Sequence, residues 1–178
     1  MKKIRLVLGE NSHFIYAGCP IENIGERLSE NRYGKKVMLL TDSNVFPLYG
    51  KKVKKILTDA GKEVFTAVVK PGERSKNLNQ VYKIIEECAK SKMSRDSSLL
   101  TLGGGVISDL GGFASSIYMR GINYVSVPTS LLAQVDAAIG GKTGVNLPFG
   151  KNLVGSFYQP SFIYILTLTS CPHCLKER

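Results

Sequence analysis

Leu99-Leu100-Thr101-Leu102-Gly103-Gly104-Gly105-Val106-Ile107-Ser108-Asp109-Leu110-Gly111-Gly112-Phe113 is the stretch that decides how this chain folds. The polar Asp96-Ser97-Ser98 precedes it, and Leu99 to Leu102 is short and apolar, as a buried parallel strand should be. Three glycines follow, and then a helical pattern runs from Val106 to about Met119. Glycine lacks the Cβ that would hold an anion away from the backbone. A helix start adds unpaired N–H groups and the positive end of the dipole. Such a turn suits a phosphate or pyrophosphate. The dinucleotide fingerprint is met only in part. Gly103 and Gly105 fit its first two positions, Ser108 stands where the third glycine belongs, and no acid follows about 20 residues on. Alone, the turn fits nucleotide binding and a tight structural turn equally well.

Working outward, strands and helices alternate. Ile4–Leu8 and His13–Tyr16 are expected as an opening β-hairpin around Gly9-Glu10-Asn11, with His13 a surface strand residue. Pro20 to Asn31 is predicted helical, with Ile21, Ile24 and Leu28 sharing a face. Lys36 to Thr41 is a strand, 45–60 a helix stopped by Gly61, and Glu63 to Val69 a strand. Leu78 to Ser91 is a helix with Leu78, Val81, Ile84, Ile85 and Cys88 on its core face, and Tyr124 to Val127 a further strand. Leu131 to Ile139 is predicted as an apolar helix carrying Asp136, whose carboxylate would need a partner such as Lys142. Serial βα units imply an α/β fold, a Rossmann-like parallel sheet flanked by helices, with an N-terminal β-hairpin. Neither repeat nor linker interrupts residues 1–178, which read as one domain.

The length permits one sizeable core, and 43% apolar residues suit a globular chain. No apolar run reaches membrane-spanning length, and Glu10 and Asn11 break any leader-like segment, so a soluble cytoplasmic protein is expected, with no membrane partner. Lys and Arg total 24 against 14 Asp and Glu, a net charge of +10. Without an aromatic-studded basic strip, this excess points away from nucleic acid and towards a small polyanion near the glycine loops. Lys35-Lys36, Lys51-Lys52 and Lys54-Lys55 read as solvated faces. Cys19 and Cys88 read as buried small apolar residues. Cys171-Pro172-His173-Cys174 has the spacing of a redox tetrapeptide, but only four residues follow it, too few for the fold that makes it reactive. As a metal site it would lack a fourth ligand.

Several further motifs follow the glycine turn in order: Arg120-Gly121, Pro128-Thr129-Ser130-Leu131-Leu132-Ala133-Gln134-Val135-Asp136, Ile139-Gly140-Gly141-Lys142-Thr143-Gly144, Gly150-Lys151-Asn152-Leu153-Val154-Gly155 and Phe157-Tyr158-Gln159-Pro160. With them, the first 160 or so residues closely resemble the 3-dehydroquinate synthase family of sugar phosphate cyclases. The resemblance implies an NAD cofactor and a small sugar-acid phosphate substrate. In the family, 3-deoxy-D-arabino-heptulosonate 7-phosphate is cyclised to 3-dehydroquinate with loss of phosphate, in the shikimate route to aromatic amino acids. NAD is regenerated in each turnover.

Site residues follow by position. Locally, Asp42 and Ser43 read as a helix cap; the resemblance instead assigns Asp42 and Asn44 to the adenosine part of NAD. The loop Pro71 to Lys76 could be a polar turn, and the resemblance gives Glu73 and Lys76 to the same cofactor. Gly104, Gly105 and Val106 would take its diphosphate. Asp109, otherwise a first-turn helix acid, would take the nicotinamide side, with Thr129 and Ser130 beside it. Lys151 matches a cofactor-contacting lysine, with Lys142 near it. Asp136, Lys142 and Asn152 match residues that hold substrate hydroxyl and carboxylate groups. Arg120 matches an arginine that grips the substrate phosphate from the neighbouring subunit of a homodimer.

The match weakens after Pro160, where Ser170 stands for a cofactor-contacting threonine. The family's helical C-terminal domain, with the Glu and two His that bind Zn (or Co), is not in this sequence, whose only histidines are His13 and His173. The expectation is an NAD-binding portion that does not complete the metal-assisted steps by itself. Alternatives are another sugar phosphate cyclase, a non-catalytic NAD-binding module, or a polyol dehydrogenase.

Overall fold

The computed structural model describes residues 1–167. Strands β1 (Lys2–Leu6) and β2 (His13–Cys19) pair antiparallel, with Leu6 opposite His13. A short helix α1 (Ile24–Leu28) leads to β3 (Lys36–Asp42), α2 (Lys51–Asp59) and β4 (Glu63–Val69). Then come α3 (Leu78–Lys90), β5 (Ser98–Gly103), α4 (Gly105–Ile117) and β6 (Asn123–Pro128). A hairpin of β7 (Lys142–Leu147) and β8 (Gly150–Phe157) precedes the closing strand β9 (Phe162–Leu166).

The main sheet has the order β1-β2-β9-β6-β5-β3-β4, parallel throughout except for β1. Continuous apolar runs make its central strands, and alternate side chains feed two cores. Val37 and Leu39 of β3 join Leu100 and Leu102 of β5 against Ile24, Leu28, Val53 and Leu57, on the α1 and α2 face. Met38, Leu40 and Leu99 point the other way, against Val81, Ile84 and Cys88 of α3 and Ile107, Leu110 and Phe113 of α4. Helices thus cover both faces, as the alternation of elements implies. Cys19 and Cys88 are buried, and burial pushes the Cys88 thiol up to about 12, with Glu87 adding to the shift. Both behave as small apolar residues.

From β3 the chain moves outward to β4 and then returns to β5 on the other flank of β3. That reversal opens a crevice beyond the carboxyl ends of β3 and β5. Asp42 ends one strand and the glycine turn ends the other, so the order of the strands places both at the same rim.

Several local expectations change. The 20–31 helix is reduced to the five residues of α1 between two short 3-10 turns. The 45–60 helix opens with a π-helical turn, Phe46–Gly50, carrying Pro47, before α2 proper. Leu78 is exposed at the start of α3, because only from Val81 onward does the helix lie over the sheet. His13 is buried, not on the surface: Nδ1 bonds Asn11 O at 3.1 Å, and Nε2 has no partner among the described residues.

Candidate functional site

The turn after β5 builds the floor of a cleft of about 710 Å³, within the size range of small-molecule sites. Gly104 caps α4 in an extended conformation (φ −80°, ψ −168°), and its carbonyl accepts the amides of Ile107 and Ser108, each at 3.1 Å. The amides of Gly105 and Val106 precede those bonds and have no backbone acceptor among the described residues. At Gly103, a Cβ would stand 2.6 Å from Ile107 Cγ1, so this glycine serves strand–helix packing. Cβ atoms at Gly104 and Gly105 would meet Ser130 Oγ at 3.3 Å and Ala137 Cβ at 3.4 Å, across the mouth of the turn. The two glycines keep that mouth narrow and its amides bare.

Asp42 is buried at the adjoining strand end, and its Oδ1 accepts the amides of Asn44 at 2.8 Å and Val45 at 3.0 Å. It therefore caps the following turn while also lining the cleft together with Asn44. Thr129 and Ser130 are buried at the end of β6, where Thr129 N donates to Gly103 O at 2.9 Å and Ser130 Oγ accepts Ala133 N at 3.3 Å. Glu73, Lys76, Asp109, Asp136, Lys151 and Asn152 complete the walls.

On those walls Lys76 and Asp109 form an ion pair, with side chains 7% and 15% exposed. Asp109 does not sit in the first turn of α4, which holds no acid, so its role is pairing and not capping. Burial raises the Asp109 carboxyl above the ordinary carboxylate range, and the Lys76 ammonium opposes that shift. Lys76 Nζ also donates to Asn152 Oδ1 at 2.6 Å. Asn152 belongs to the β7–β8 hairpin, with a left-handed backbone (φ +56°). Beyond Asp109 and Asn152, a second recess of about 400 Å³ is lined by Lys142, Gly144, Leu153 and Phe157.

Asp136 departs from expectation. Its segment is a π-helical turn, Ala133–Ala137, and Asp136 is exposed at the cleft, with no ion pair to Lys142 among the described residues. Leu131, Leu132 and Val135 of the same segment are also exposed, at 53%, 64% and 64%, so no apolar setting demands a partner for the carboxylate. Arg120 is not brought to the cleft. It follows the far end of α4, roughly 18 Å along the helix axis, exposed and left-handed (φ +65°), between Met119 (φ +50°) and Gly121 (φ +120°). Ser170 and the Cys171 to Cys174 tetrapeptide lie outside the described residues.

Residues 66–175 match the family described as 3-dehydroquinate synthase N-terminal. The chain belongs to that family. A 3-dehydroquinate synthase of Clostridium acetobutylicum is 48% identical over 166 residues, covering 93% of this chain and 47% of the relative. One from Picosynechococcus sp. is 48% identical over 162 residues, covering 90% of this chain and 44% of the relative. The chain thus spans about half the length of the relatives it matches. Among solved structures, 2-epi-5-epi-valiolone synthase from Streptomyces hygroscopicus subsp. jinggangensis 5008, with NAD+ and Zn2+ bound, superposes with TM-score 0.76 at 29% identity, over 90% of this chain and 44% of that one. A 2-deoxy-scyllo-inosose synthase gives TM-score 0.87 at 24% identity over 99% of this chain and 49% of that one, a likeness of fold.

Within this family framework, the β7–β8 hairpin is what the sequence concealed. Its alternation is broken by Gly144 and Gly155, which face one another where the strands run close: a Cβ on Gly144 would lie 2.7 Å from Val154 O. Asn146, on that hairpin, carries no motif of its own, although Leu147-Pro148-Phe149-Gly150 after it is a turn signal.

Proposed function

We propose that residues 1–178 form the NAD-binding unit of a 3-dehydroquinate synthase, in which the cofactor's diphosphate meets the bare amides of Gly105 and Val106. Those two amides, at a helix N-terminus and a topological switch point, are the observation that carries the reading. The donor set around them fits the cofactor. Asp42, Asn44 and Glu73 line the cleft and would hold ribose and adenine groups. Thr129, Ser130 and Asp109 line it too and would face a nicotinamide. When bound, NAD supplies a reversible hydride acceptor. The same fit is supported by the NAD+ in 2-epi-5-epi-valiolone synthase.

The chain's own residues would bind and orient a sugar-acid phosphate, 3-deoxy-D-arabino-heptulosonate 7-phosphate. Asp136, Lys142 and Asn152 offer one carboxylate, one ammonium and one amide at the lip between the two recesses, a set able to hold hydroxyl and carboxylate groups. Lys151 and Lys142, both exposed, add positive charge for an anionic substrate. Arg120, held outward at the far end of α4, would reach the phosphate in the cleft of a second subunit of a homodimer. Ser170, by its position in the sequence, would be a further cofactor contact. No group of three or more His, Cys, Asp or Glu able to hold a metal ion occurs among the described residues, so these residues do not fit the family's metal. No helix among them is long and apolar enough to cross a membrane. Buried free thiols at Cys19 and Cys88 agree with a cytoplasmic enzyme of the shikimate route.

Calorimetric titration with NAD+ tests this. The chain should bind NAD+, release no phosphate from the heptulosonate phosphate when supplied with Zn2+, and lose affinity about tenfold in Lys151→Ala, the loss of one charge-assisted hydrogen bond. Lys151 is exposed and makes no ion pair among the described residues, so the fold should survive the change. Failure to bind, or unchanged affinity in Lys151→Ala, would overturn the assignment.

A further inference from the structure

Asn146 lies at the irregularity of the hairpin, where pairing passes from Val145↔Val154 to Leu147↔Gly150. Such bulges free a residue from the ladder and re-aim its side chain. Here the freed backbone turns to another element: Asn146 N donates to Lys76 O at 2.9 Å, and Asn77 bridges to the same residue. The side chain divides its two functions. Nδ2 donates to Glu73 Oε1 at 2.7 Å, and Oδ1 accepts the Asn152 amide at 2.8 Å. A carboxylate only accepts and an amide N–H only donates, so the orientation of the Asn146 side chain is fixed by its partners. An aspartate in its place would have no proton for Glu73, and a leucine would satisfy neither group.

Both partners belong to the site. Asn152 has the left-handed backbone of the hairpin, a conformation that costs an L-residue energy unless its surroundings hold it. Its side chain accepts from Lys76, which pairs with Asp109. Glu73, Asn146, Asn152, Lys76 and Asp109 therefore form one chain of polar contacts joining the 73–76 loop, the hairpin and α4.

We infer that Asn146 is a positioning residue: it locks Asn152 and Glu73 into register with the Lys76–Asp109 pair, so that the cofactor loop and the substrate-side hairpin are held as one rigid wall. This rests on the cofactor reading above for its effect on NAD+, but not for the clamp itself.

Two variants test it, each shown to be folded by circular dichroism and each compared with the unaltered chain at the same pH. In Asn146→Ala, exchange of the Asn152 amide should speed up at least tenfold while amides of β3 and β5 keep their protection, and NAD+ should bind about tenfold more weakly. In Asn146→Asp at pH 8, a second carboxylate faces Glu73, with Lys76, Asp109 and Arg74 the other charges around the groove. Affinity for NAD+ should then fall below that of Asn146→Ala. An acceptor oxygen for the Asn152 amide is retained in Asn146→Asp, so that amide should stay protected there while Asn146→Ala releases it. A merely structural asparagine would lower the melting temperature of both variants with the Asn152 amide behaving alike in the two, and that result would overturn the inference, as would unchanged affinity in both. Should Asn146→Ala fail to fold, Asn146→Asp decides: weaker NAD+ binding with the Asn152 amide still protected supports the clamp, and unchanged affinity overturns it. If the unaltered chain binds no NAD+, the cofactor reading falls separately, and the Asn152 amide decides the clamp: protected in the unaltered chain and released by Asn146→Ala, or not.

Discussion

Two consecutive strand–turn units of this sheet were built to different ends. After β5, the glycine turn runs straight into the thirteen residues of α4, eight of them buried. After β6, the chain makes only a π-helical turn, and Leu131, Leu132 and Val135 face outward. The first unit is complete within the described residues, since α4 packs on β5 and on the hairpin. The second presents an apolar and acidic lip to the cleft, with Phe149 and Phe157 of the hairpin also exposed, at 93% and 82%. One unit holds the fold, and the other offers surface.

The contrast can be broken most forcefully at Gly111. A Cβ there would collide with Thr101 Cγ2 of β5 and approach Leu99 Cδ2 at 3.0 Å. Gly to Ala in an exposed helix interior stabilises by about 1 kcal/mol; here the same change should destabilise by about 3 kcal/mol, read from urea unfolding. A neutral result would mean α4 is not tightly seated.

Lys76→Met should come next. It removes the partner of a largely buried carboxylate, a loss of about 3 kcal/mol at pH 8. The sign with pH follows from the raised Asp109 carboxyl. In the folded chain it holds its proton to higher pH than when unfolded, so its contribution to stability is greatest in acid and is lost as pH rises through the raised value. Without Lys76 the shift grows, so the penalty in Lys76→Met should shrink between pH 8 and pH 4.5. A penalty independent of pH would remove Asp109 from the explanation.

The smallest effect belongs to the second unit. Leu132→Ser and Val135→Ser should each change stability by less than about 0.5 kcal/mol, because neither side chain is covered here. A large loss in either would show that the lip packs.

Legibility in the sequence followed the same division. The β5–turn–α4 unit could be read because an apolar strand, three glycines and a 3.6-residue pattern all agree on one structure. β4 was legible to the residue, Glu63–Val69, since β-branched residues recur along it. The segment expected as a helix at Leu131–Ile139 is helical over residues 131–137, with Ala133 and Ala138 buried; its pattern did not tell that Leu131, Leu132 and Val135 stay exposed, since the described residues lay no core over them. His13 was misplaced because nothing local marks a strand's first residue as buried. In the candidate site, the strand-end residues Asp42, Gly104 and Ser130 could be placed from the order of elements. The Lys76–Asp109 pair and the Asn146 clamp could not, since they join segments more than thirty residues apart.

The central claim is that two unpartnered amides at the head of α4 receive the diphosphate of NAD+. Amide-resolved NMR during titration with NAD+ tests it most directly. The Gly105 and Val106 resonances should shift most, with those of the flanking turn, and saturate at the calorimetric affinity. If those two amides stay still while others move, the nucleotide binds elsewhere and the claim is wrong.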